Sequence, residues 1–159
     1  MIVLFEEVPK EESFLFNENV WIKLNDREGT KEGSFCSVCS FGEDIESLFV
    51  KIGKVEEDKI DKKIISMQKL LSILSSEGLI FDIIDEDTDD FAEVLYKCNV
   101  KRLNEKMPYL SKLEEKIKEE FLSEIKTVET DSVDIFFDFT RHVALTLAKK
   151  YYKQMKEVC

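Results

Sequence analysis

Proline and glycine are scarce: the chain has two prolines, Pro9 and Pro108, and five glycines among 159 residues. That excludes a collagen-like repeat, a flexible Gly-rich linker and a low-complexity tract. The glycines stand apart at Gly29, Gly33, Gly42, Gly53 and Gly78, so there is no glycine-rich loop to cradle a phosphate. No apolar run approaches the roughly 18 residues that a bilayer-spanning helix requires. The opening residues, Met1-Ile2-Val3-Leu4-Phe5-Glu6-Glu7, have no basic stretch and turn acidic early, unlike a secretory leader. These features predict a soluble protein of the cytoplasm with no membrane partner. Four cysteines, Cys36, Cys39, Cys98 and Cys159, are too sparse for a disulfide scaffold and are expected to be reduced. Glutamine is limited to Gln68 and Gln154 while Glu and Lys abound, a thermophile-like bias.

What is plentiful is apolar material and negative charge. Hydrophobic residues make up 43% of the chain, 12 of them Phe, which is too much for disorder and enough for a core. The formal net charge is -11. A domain-wide negative field opposes both nucleic acid and membrane surfaces, so direct nucleic-acid binding is not expected, and basic partners fit better. The one basic stripe, Lys149, Lys150, Lys153 and Lys156, suits the carbonyl end of a terminal helix.

Residues 1–55 read as a small, mainly antiparallel sheet. Ile2 to Phe5 form a short apolar run. Between residues 14 and 24, Phe14, Phe16, Val20, Ile22 and Leu24 share one parity, with Trp21 on the other. Turn residues follow at Asp26 to Gly29 and Lys31 to Gly33. Near residue 56 the period lengthens. Ile60, Ile64, Met67, Leu71 and Leu74 mark one helix face, which Gly78 ends. A buried strand or connection is expected over 79–84 and an acidic turn over 85–90. Further helices carry Phe91, Val94, Leu95 and Cys98, then Leu110, Leu113, Ile117, Phe121 and Ile125 with Pro108 in the first turn. The last begins near Thr130 or Asp131 and presents Val133, Phe136, Phe137, Thr140, Ala144, Leu147 and Tyr151. The predicted class is α+β: a β-rich part over 1–55 and a predominantly α-helical bundle over 56–159, forming one compact unit.

Cys36-Ser37-Val38-Cys39 has the spacing of half a tetrahedral zinc site. Completing it would require Cys98, Cys159 or His142 to converge from far away. In an alternating stretch Cys36 and Cys39 face opposite sides, so two small half-buried residues are expected and no metal. Asp85, Asp87 and Asp89 match the first, third and fifth ligand positions of an EF-hand loop. The sixth and twelfth positions hold Asp90 and Tyr96 in place of the Gly and Glu that the loop needs, which leaves a solvated acidic turn. His142 follows Asp138 by four residues, but no Ser or Cys is linked to it, so no nucleophile–base pair is predicted. Trp21, Phe14 and Phe16 beside Lys23 have the makings of a base-stacking platform; core strand residues are the expected reading.

A third constellation is acidic. Glu115, Glu119, Glu120 and Glu124 precede Asp131, Asp134 and Asp138 at helical spacing, and carboxylates from two facing helices can cage magnesium. The segment from Asp131 to Arg141 resembles the second metal motif of all-helical MazG-type nucleotide pyrophosphatases. That resemblance implies a magnesium-dependent nucleotide hydrolase using Glu115, Glu119, Asp131 and Asp134. The family's E-x-x-E is absent, because the pairs Glu115–Glu119 and Glu120–Glu124 are spaced four apart, and the likeness spans about thirty residues.

Every catalytic and cofactor pattern is thus incomplete, and no cofactor is expected. The leading expectation is a non-enzymatic interaction protein: an acidic accessory subunit or regulator of a larger assembly, or an acidic decoy that occupies a nucleic-acid-binding surface. Its partner would be a protein with a basic or apolar surface, or a second copy of the chain. Tyr151, Tyr152, Met155 and Val158 extend the last helix's apolar stripe to the end of the sequence and are the candidate interaction face.

Overall fold

The computed structural model describes residues 1–33, 37–53, 56–75, 91–130 and 132–157. Its strands are β1 (Ile2–Leu4), β2 (Ser13–Phe16), β3 (Asn19–Lys23), β4 (Glu28–Lys31), β5 (Val38–Ser40) and β6 (Phe49–Lys51). Its helices among the described residues are α1 (Lys59–Leu74), α2 (Phe91–Lys106), α3 (Lys112–Ile125) and α4 (Val133–Glu157). The fold is α+β. The sheet is antiparallel at every pairing, in the order β1-β6-β2-β3-β4-β5. No helix among the described residues is long and apolar enough to cross a membrane.

Two compact units divide the chain. One comprises Met1–Ile65 with the end of α4 from Tyr152, and the other Ser66–Tyr151. Thus α1 and α4 each supply residues to both.

In the first unit the sheet's interior is aromatic. Phe41 lies 5.1 Å from Phe5, 5.1 Å from Phe14, 5.2 Å from Phe16 and 5.2 Å from Trp21, ring centre to ring centre. Gly29 faces this cluster. A Cβ there would sit 3.0 Å from Phe14 Cζ and 3.1 Å from Phe41 Cε2, so the absent side chain is what lets β4 close onto the rings.

The parity expected along residues 14–24 is corrected by the hairpin between β2 and β3. Phe14 pairs with Trp21 and Phe16 with Asn19, so an even-numbered residue always opposes an odd-numbered one. Phe14 and Trp21 therefore share the buried face, while Val20 and Leu24 are each 37% exposed. The two turn residues, Asn17 at φ 48° and Glu18 at φ 64°, both adopt the left-handed region that a tight hairpin demands. Asn tolerates this and Glu does not. Glu18→Gly is expected to raise stability by about 0.5–1 kcal/mol, read as a higher urea midpoint at unchanged slope.

Lys23 is buried. Its ammonium donates to Phe5 O at 3.0 Å and Glu6 O at 3.3 Å, and lies 4.7 Å from the Phe5 ring centre. It is a clamp on the Phe5–Glu7 turn and faces no open stacking platform.

Helix starts follow local capping chemistry. Asp61 N donates to Asp58 Oδ1 at 2.8 Å, and Asp58 N to Asp61 Oδ2 at 3.4 Å, a reciprocal box that opens α1. At α3 Ser111 is the cap: Glu114 N donates to Ser111 Oγ at 3.2 Å, and the Ser111 hydroxyl donates to Glu114 Oε1 at 2.9 Å. Pro108 consequently stands in the α2–α3 connection, ahead of the cap, and not in the helix's first turn. Ser132 Oγ accepts from Ile135 N at 3.4 Å, which places the start of α4 slightly beyond Thr130. The buried faces include the expected Ile64, Met67, Leu71 and Leu74, then Phe91, Val94 and Leu95, then Ile117, Phe121 and Ile125, then Phe136, Phe137, Thr140, Ala144, Leu147 and Tyr151. The expected helix end at Gly78, the strand or connection over 79–84 and the acidic turn over 85–90 lie outside the described residues.

Candidate functional site

A cleft of about 700 Å³ opens in the second unit, lined by residues from α2, the α3–α4 connection and α4. Its floor is aromatic. Phe91 and Phe136 sit on the inward stripes of α2 and α4, and their ring centres are 5.6 Å apart. Phe136 is itself backed by Phe137 at 5.7 Å. Tyr96, five residues beyond Phe91, forms a wall and stays 45% exposed. Ala92 and Val128 add aliphatic surface. Glu93, Lys126, Glu129 and Thr130 provide the polar rim. Glu93 also pairs with Lys97 at 3.4 Å. An apolar, partly aromatic cavity with a few polar groups at its mouth is how proteins hold a hydrophobic side chain or small ligand while fixing its orientation.

The carboxylates named for magnesium do not gather there. Glu115 and Glu119 are exposed, each two residues from buried Ile117 and hence on the other side of α3 from it; Glu119 is also two residues from buried Phe121. Asp134 is exposed in the first turn of α4, and Asp131 lies outside the described residues. Among the described residues no group of three His, Cys, Asp or Glu is placed to hold a metal ion. Cys39 is exposed on β5; Cys36 lies outside the described residues, as do Asp85, Asp87, Asp89 and Asp90. His142 is exposed on α4.

The proposed interaction face at the end of α4 points inward. Tyr151, Tyr152 and Met155 are buried, and Val158 lies outside the described residues. Each tyrosine is tied to a carboxylate within its own unit. In the second unit the Tyr151 hydroxyl donates to Glu120 Oε1 at 2.6 Å, and Lys150 donates to Glu120 Oε2 at 3.0 Å. In the first unit the Tyr152 hydroxyl donates to Glu7, and its ring is 5.6 Å from Phe49. The Tyr151 hydrogen bond, with Lys150 in support, holds the Glu120 carboxyl below its ordinary value, against the opposing effect of burial. Burial, reinforced by Glu120 and Glu7 respectively, drives both tyrosine hydroxyls well above theirs.

These shifts fix the pH response. A tyrosine whose folded value is raised stabilises the fold fully below the unfolded value of 10.0, and that stability drains away as pH climbs through the folded value. Glu120, lowered, contributes above 4.5 and loses its contribution as pH falls through the folded value. Alkaline titration is therefore expected to unfold the chain above pH 10, with the phenolate absorbance of Tyr151 and Tyr152 rising in step with loss of helical circular dichroism. Tyr151→Phe and Tyr152→Phe should each remove one such coupled component. Early ionisation of both tyrosines in the still-folded chain would contradict the burial described here.

The cleft was invisible in the sequence because it arises where two helix starts and a connection converge. Phe91 and Phe136 were legible as core. Only Tyr96, an aromatic off the apolar stripe of α2, hinted at an open surface. No known protein family matches the chain, nor does any curated protein or solved structure.

Proposed function

We propose that this chain is a non-catalytic protein-binding module, an acidic accessory subunit or regulator, that takes an apolar segment of a basic partner into the cleft of its helical unit. The observation that supports it is the cleft itself, floored by the buried rings of Phe91 and Phe136, walled by half-exposed Tyr96 and rimmed by Glu93 and Glu129. An apolar anchor from the partner would rest against Tyr96, Ala92 and Val128. Positive charge beside it would meet Glu129 and the field of a chain with net charge -11. The magnesium-hydrolase alternative gains no support, since Glu115 and Glu119 face away from α3's packed side.

The reading is tested by affinity capture from the native host with the wild-type chain, Tyr96→Ala and Glu129→Lys. Both replaced residues line the cleft, and neither is part of the core. The expected result is a partner held by the wild type, weakened more than tenfold by either substitution, at unchanged melting temperature. A partner indifferent to both, or turnover of a nucleotide panel with magnesium, would defeat it.

A further inference from the structure

The two edges of the sheet are finished differently. At β1 the N–H of Ile2 is taken up by Asp61 Oδ1 at 2.8 Å. At β5, Lys31 N donates to Ser37 O at 3.1 Å and Phe41 N to Arg27 O at 2.8 Å, while Gly29 pairs with Cys39 between them. The alternation of an antiparallel ladder then turns the backbone of Val38 and Ser40 away from β4. Their N–H and C=O groups have no partner among the described residues, and all three residues of β5 are exposed. The strand is Val-Cys-Ser: it has no lysine, no proline and no charge of the kind that guards an open edge. Acids dominate its surroundings. Glu28 lies opposite Ser40, and Glu43, Asp44 and Glu46 are exposed in the turn that follows, against Arg27 and Lys31.

We propose that β5 accepts an extended, basic segment of a partner protein as a seventh strand. The inference is independent of the cleft, which belongs to the other unit. Backbone groups of Val38 and Ser40 would provide the pairing, and the surrounding acids would select positive side chains on the incoming strand. A second copy of the chain is the poorer occupant. Joining β5 to β5 would bring together two molecules that each carry -11.

The test uses the full chain, isotopically labelled, with an alternating Lys-Val peptide as probe and a Glu-Val peptide as control. Amide exchange at Val38 and Ser40 should slow with the Lys-Val peptide, binding should weaken as salt rises, and the Glu-Val peptide should have no effect. Val38→Pro removes an outward N–H that the β4 ladder does not use, so affinity should fall more than tenfold with the melting temperature unchanged. Should that variant melt early, a Lys-Val peptide N-methylated at alternate residues makes the same test from the partner's side and must lose binding. No binding of the Lys-Val peptide, protection confined to other amides, undiminished binding of the methylated peptide, or self-association of the chain through β5 would each overturn the proposal.

Discussion

Phe41→Ala is expected to destabilise the chain by about 3–5 kcal/mol, among the largest costs any single substitution here should carry. The reason is the ring's position. Phe5, Phe14, Phe16 and Trp21 all contact it, and it is 2% exposed. Removing it withdraws a large apolar surface and leaves a void bounded by four rings, three of them held on the paired strands β2 and β3. These cannot close the gap without shifting the hairpin, so most of the cavity term is expected to remain. A domain of this size has a total stability of about 5–15 kcal/mol, so the variant would fall near or below the threshold for folding. Trp21 is the only tryptophan and packs on Phe41, so urea unfolding followed by its emission reads the loss directly. Phe41→Leu keeps most of the volume and is expected to cost under about 2 kcal/mol. Equal stability of Phe41→Ala and the wild type would show that the aromatic cluster is not the centre of this unit.

Asp61→Ala should rank next, at about 2–4 kcal/mol. One buried carboxylate performs two tasks. It closes the box with Asp58 at the start of α1, and it accepts the edge N–H of Ile2. Alanine strands the Ile2 donor in a buried place and opens the cap at the same time. The nearby α-ammonium of Met1, 3.7 Å away and half exposed, adds little in water. Asp61→Asn keeps an oxygen acceptor for one of the two N–H groups and is expected to fall between the wild type and Asp61→Ala. The discriminating measurement is hydrogen exchange at Ile2 and over the first turn of α1. Both should lose protection together in Asp61→Ala. If only the helix start does, the carboxylate does not secure the sheet edge.

Helix faces were readable because period is a local property. Ile64, Met67, Leu71 and Leu74 lie where a 3.6-residue repeat puts them, and so do Ile117, Phe121 and Ile125. The sheet's inner face was harder, because parity holds only along one strand. The two-residue turn at Asn17-Glu18 exchanges odd for even, so parity alone groups Val20 and Leu24 with Phe14, whereas Trp21 is its true neighbour. Asp61 and Lys23 were not legible at all. Each is a charged residue buried because a backbone group remote in sequence needs a partner, Ile2 in one case and Phe5 in the other. The acidic constellation was misleading for a related reason. Helical spacing shows which carboxylates share a face, but not whether that face meets another helix. Glu120, the carboxylate adjoining Phe121, is the one that reaches Lys150 and Tyr151 on α4. The cleft and the open edge at β5 both depend on how distant segments meet, which no window of sequence records.

Tyr152 gives the sheet-bearing unit an unusual timetable. Its hydroxyl bonds to Glu7 and its ring rests on Phe49, so strands that end by Lys51 are closed by a residue made long after them. A chain emerging from the ribosome must carry these strands through the synthesis of everything between Lys51 and Tyr152 before that seal can form. During this interval Phe49 lacks one of its coverings, and chaperones have their best opportunity to engage it.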